Sequence, residues 1–96
     1  MLLAPSLHMS PMLITMARDA ARQLLAPGAD AAGADFLRMA SLDLVRRAES
    51  GDRAGVRRVA VFAHSLLDEV HMPDGKEHPA RCEIARLLVA LGEDPA

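Results

Sequence analysis

Four stretches of this chain carry apolar residues at three- and four-residue spacing, and a glycine interrupts the pattern between each stretch and the next. That period belongs to the α-helix, because side chains three and four positions apart share one face. Four amphipathic segments in a short chain leave few solutions. Each must bury its stripe against the others.

The first segment opens at Ser10-Pro11, with serine at a capping position and proline at the first helical position. Leu13, Ile14, Ala17, Ala20, Ala21 and Leu24 follow at helical spacing, and Arg18, Asp19 and Arg22 fall opposite. Pro27-Gly28 stops it. Residues 28–34 read as a small-residue linker, with Asp30 or Asp35 as the cap of the second segment. Phe36, Leu37, Ala40, Leu44 and Ala48 make that segment's main stripe, Met39 and Leu42 lie on its other side, and Ser50-Gly51 ends it. The third segment starts near Asp52 and carries Val56, Val59, Ala60, Ala63, Leu66, Leu67 and Val70, with Phe62 widening the stripe. Met72-Pro73-Asp74-Gly75 is a turn. The fourth segment starts around His78-Pro79, turns Ile84, Leu87, Leu88 and Leu91 inward, and is expected to stop at Gly92. No β-branched run alternates with polar residues. The expectation is an all-α fold, a small antiparallel four-helix bundle, because short connections make consecutive helices antiparallel neighbours. Residues 1–9 read as a flexible N-terminal arm, 10–92 as a single helical domain and 93–96 as a polar tail.

Composition limits what such a bundle can bury. Of 96 residues 51% are hydrophobic, but many are alanine, and the aromatic residues are Phe36 and Phe62. Alanine favours helix and buries little area. A modest core of this kind gains from a second subunit. Met39 and Leu42, together with a strip of Cys82, Ala85 and Val89 on the fourth segment, are more apolar surface than four helices need. Homodimerisation or docking on a larger protein would absorb it. The formal net charge of −2 argues against a nucleic-acid partner. A single cysteine forms no intramolecular disulfide, which fits a reducing cytoplasm. Met1 to Ala4 lacks the pattern of a signal peptide, and no run approaches a membrane span, so no membrane association is expected.

Side chains able to do chemistry gather late in the chain. His64, Asp68 and His71 fall on one side of the third segment, and His78 and Cys82 are one turn apart at the start of the fourth. Asp68, His71, His78 and Cys82 would satisfy a tetrahedral zinc or similar transition-metal ion if the turn at 72–75 brought them together. The stretch from Gly51-Asp52 through Val56-Arg57-Arg58-Val59-Ala60 to Ala63-His64-Ser65-Leu66 is similar to the histidine-phosphotransfer domains of signalling relays. That resemblance implies a helical bundle with His64 as phosphoacceptor. Leu67 and Asp68 stand where those domains have lysine and glycine, and Asp68 would repel a phosphoryl group. Ala40-Ser41-Leu42-Asp43-Leu44-Val45 resembles the Asp-Ser-Leu site of phosphopantetheine carrier proteins. Ala40 replaces the aspartate, and Ser41 reads as a neutral helix-surface residue. Arg46, Arg47, Arg53, Arg57 and Arg58 surround the second turn and are candidates for holding an anion, though Glu49 and Asp52 dilute their charge. The preferred expectation is a non-enzymatic helical interaction or regulatory protein without a cofactor, acting through apolar helix surfaces as a homodimer.

Overall fold

The computed structural model describes residues 9–70, 72 and 75–93. It contains α1 (Pro11–Leu24), α2 (Ala31–Glu49), α3 (Arg53–Glu69) and α4 (Ala80–Glu93), with no strand among the described residues. Three starts are set by side-chain caps that take up an otherwise unpaired backbone N–H. Ser10 accepts from Leu13 at 3.2 Å, Asp30 from Gly33 at 2.7 Å and Asp52 from Gly55 at 2.9 Å. Asp30, not Asp35, caps α2, so residues 31–34 are its first turn and not a linker. Three of those four residues are alanine, the best helix former, and the cap starts the helix as soon as one is available. At the other end of the chain α4 runs through Gly92 to Glu93. Gly92 does not adopt the positive φ that ends a helix, so it weakens α4 without stopping it.

The four helices form a ring of neighbours. α1 packs on α2 and α4, and α3 packs on α2 and α4, while the diagonals touch little. Cross-helix contacts fix the directions. Arg18 of α1 meets Glu49 near the end of α2 at 3.0 Å. Arg81, in the first turn of α4, meets Asp68 near the end of α3 at 2.6 Å. These contacts, with the three-residue turn at 50–52 that reverses α2 into α3, make consecutive helices antiparallel, as the short connections predict.

The centre holds Leu13, Leu24, Leu37, Leu44, Ile84, Leu87 and Val56, all buried, with Ala17, Ala20, Ala60 and Ala63 between them. Small residues at these positions let the helix axes approach, at the cost of a thin core. Met9 is buried too, so the packed chain begins ahead of the Ser10 cap and not after residue 9. The remainder of the expected arm, residues 1–8, and the expected tail beyond Glu93 lie outside the described residues. No helix among the described residues is long and apolar enough to cross a membrane.

Both aromatic residues depart from expectation. Phe36 is 50% exposed and Phe62 52% exposed, although each was placed on or beside a core stripe. On α2 the buried line is Leu37, Ser41, Leu44 and Ala48, with Ala40 beside it. Phe36 precedes Leu37 and is turned about 100° from it. Phe62 stands in the same relation to buried Ala63. Leu44 and Leu42 offer a direct check of this inside-outside assignment. Leu44→Ala should lower unfolding stability by about 2–5 kcal/mol through loss of contacts and a residual cavity. Leu42→Ala should leave the monomer's stability within about 0.5 kcal/mol. Urea unfolding followed by circular dichroism, at chain concentrations low enough that the midpoint no longer depends on concentration, measures both.

Candidate functional site

The turn between α2 and α3 is three residues long, Ser50, Gly51 and Asp52. Gly51 has φ +77°, a conformation open to glycine and costly for other residues. Its N–H donates to Ala48 at 3.2 Å, and the N–H of Asp52 donates to Arg47 at 2.9 Å. This pair of bonds closes the last turn of α2. Asp52 then caps α3 at once. The N–H of Gly55 holds the Asp52 carboxyl below the usual carboxylate range, and the Arg47 guanidinium adds to the effect. Arg47 donates to Asp43 at 3.1 Å and to Asp52 at 2.9 Å, and these hydrogen bonds raise its own pKa, Asp43 contributing most. A Cβ at Gly55 would collide with the Asp52 carboxylate and the Arg47 guanidinium, so that position admits no side chain without disturbing the turn.

A turn this short fixes the register of α2 against α3 and opens a groove between their outer faces. Its volume is 530 Å³, and its lining includes Met39, Leu42, Val59 and Phe62. Met39 is 65% exposed and Leu42 61%, more than most large apolar residues in a small protein. Arg46, Arg47 and Arg58 line the groove's end nearest the turn. Arg47 is held by its two aspartates, while Arg46 and Arg58 are exposed and make no ion pair among the described residues. A second groove of 490 Å³ lies on the other flank of α2, lined in part by Leu25, Val45, Leu42 and Arg46. Leu42 and Arg46 border both grooves. The outer face of α2 is thus a ridge, apolar at its middle and cationic toward the α3 turn.

The other sequence candidates are dispersed. Of the arginines considered as one anion site, Arg53 donates to the carbonyl of Leu91, Arg47 is paired, and Arg57 is exposed on α3. Cys82 and Val89 are exposed on α4 with Ala85 half-buried between them, across the bundle from α2. They do not join Met39 and Leu42 in one surface. His64 is half-buried on α3 and its neighbour Asp68 is engaged by Arg81. Among the described residues no three His, Cys, Asp or Glu side chains gather as a metal site would require, and His71 lies outside those residues. Asp68 faces Arg81, Cys82 is exposed, and His78 is 4% exposed.

Two buried polar residues have structural partners that sequence reasoning missed. Ser41 is 3% exposed and donates to the carbonyl of Ala21 at 2.7 Å, tying α2 to α1. It is not a surface residue, and its hydroxyl is not presented for attachment of a carrier group. Its spacing of four after Leu37 and three before Leu44 already placed it on the buried line. His78 caps α4, its Nδ1 accepting from the N–H of Ala80 at 3.0 Å while its carbonyl accepts from Arg81 at 3.0 Å. Pro79 in the next position was the available signal, since proline favours the first residue of a helix. With Nδ1 accepting, the ring is neutral and carries its proton on Nε2, which is buried without a partner among the described residues. Comparison with models of protein families, with curated proteins and with solved structures finds no match.

Burial pushes the His78 pKa down from its ordinary value of 6.5. The unfolded chain then binds the extra proton as pH falls, so folding stability from this residue is complete above about pH 6.5 and declines through the range below it. His78→Asn keeps a capping acceptor without the titration. Its stability should therefore depend less on pH between about 6.5 and 5 than that of wild type, measured by urea midpoints at each pH. Ser41→Ala should cost about 1 kcal/mol in the same assay.

Proposed function

We propose that this chain is a non-enzymatic interaction or regulatory protein whose contact surface is the outer face of α2 and the groove it shares with α3. Homodimerisation is the simplest way to cover that surface. The observation that supports this reading is the placement of the largest apolar side chains. Phe36, Met39, Leu42 and Phe62 are exposed on α2 and α3, while the described core is filled by leucine, valine, isoleucine and alanine with Met9. Single exposed apolar residues are ordinary, but here Met39, Leu42 and Phe62 line one groove. The arrangement also matches a binding surface in its layout, with an apolar centre and charged residues at the margin.

A photo-activated crosslinking residue at position 42 tests this in the cells that produce the protein. Irradiation should give discrete adducts, either of two copies of this chain or of the chain with another protein. The same residue at position 86, exposed on α4, should give none of them. A chain that forms no adduct from position 42, or forms identical adducts from both positions, does not use this surface.

A further inference from the structure

The exposed ridge of α2 follows a regular spacing. Ala32, Asp35, Met39, Leu42, Arg46 and Glu49 succeed one another at intervals of three and four residues, and all six are exposed. That is the seam spacing of helices that pack along their length. The order of side chains along the seam is informative. Anionic Asp35 and cationic Arg46 flank the apolar pair Met39 and Leu42.

Such an order is complementary to itself when reversed. We propose that a second copy of this chain docks on α2, with the two α2 helices antiparallel about a two-fold axis between residues 40 and 41. This inference rests on the contact-surface reading above and specifies its partner. In that register Met39 faces Leu42 of the partner subunit, and Asp35 faces Arg46 of the partner subunit. The symmetry repeats both contacts, as an isologous interface requires. A parallel arrangement would instead place Asp35 against Asp35 and Arg46 against Arg46, which like charges disfavour.

The surroundings of the ridge fit the same geometry. Grooves of 530 and 490 Å³ flank α2 on its α3 and α1 sides, leaving room for the side chains of a facing ridge. A two-fold of this orientation puts α3 of both copies on the same side of the helix pair, so Phe62 of each copy closes that edge. Arg46 makes no ion pair among the described residues. Asp35 is paired with Arg38 at 2.6 Å in an exposed contact one turn away, and such a surface pair exchanges partners at little cost. At 19 residues α2 is about 28 Å long, enough to carry the whole seam.

Sedimentation equilibrium and light scattering on the full chain provide the test. Wild type should have twice the monomer mass of 10.3 kDa. Asp35→Arg and Arg46→Asp should each weaken the dimer at least about tenfold, because each creates two like-charge contacts. Circular dichroism should show both variants folded, since both positions are exposed. Mixed together, the two variants should form a one-to-one heterodimer, and the double variant carrying both changes should dimerise like wild type. A monomeric wild type overturns the proposal, and so does a dimer unaffected by either single change, or single-variant losses that mixing does not restore. Should wild type be monomeric while position 42 crosslinks to a different protein, the contact surface stands and the second copy fails. Loss of all adducts from position 42 removes both.

Discussion

The three-residue reversal at Ser50, Gly51 and Asp52 governs the face of the molecule on which its function is proposed. Gly51 supplies the positive φ, two backbone bonds close α2, and the Asp52 carboxylate opens α3 without an intervening residue. Arg47 joins the two helices across the reversal through Asp43 and Asp52. Ion pairs this accessible to water, half-buried as they are, contribute little energy alone. Their effect here is geometric. With no slack in the turn, α3 has one register against α2, and Phe62 is brought beside Met39 and Leu42.

Core and surface divide the apolar residues in an unusual way. Close helix approach through Ala17, Ala20, Ala60 and Ala63 leaves little interior space for a ring. The two phenylalanines stand outside, where half of each is in water. Interior polar groups follow the ordinary rule that a buried donor or acceptor finds a partner. Ser41 satisfies it through Ala21, and His78 satisfies it at Nδ1 but not at Nε2. The unpartnered Nε2 carries a desolvation cost, and the depressed pKa of His78 has the same origin, burial of a group that water would otherwise solvate.

Much of the fold was legible because it rests on local rules. The spacing of Leu13, Ala17, Ala20 and Leu24, the Ser10 cap and the start of the third helix near Asp52 are all properties of short windows, and the structure reproduces them. The candidate surface was legible in part. Met39 and Leu42 lie outside any plausible buried stripe, so their exposure could be read from spacing. Phe36 and Phe62 could not be assigned by type, since a phenylalanine beside a stripe is ordinarily buried, and a turn of about 100° decides its side. Among the described residues the His and Cys candidates are not brought together, for a related reason. Sequence proximity put Asp68, His78 and Cys82 near one turn, but the ring of helices directs Asp68 to Arg81, His78 inward and Cys82 outward.

By itself the amino-acid sequence determined four amphipathic helices, their order, and their antiparallel sense, because periodicity, caps and short connections act within a few residues of one another. Only the tertiary structure decided which apolar side chains lie inside. That choice depends on how each helix is rotated about its axis against its two neighbours, which residues far apart in the chain set jointly. In the folded chain Phe36 and Phe62 are half-exposed, and Met39, Leu42 and Phe62 lie together along one groove.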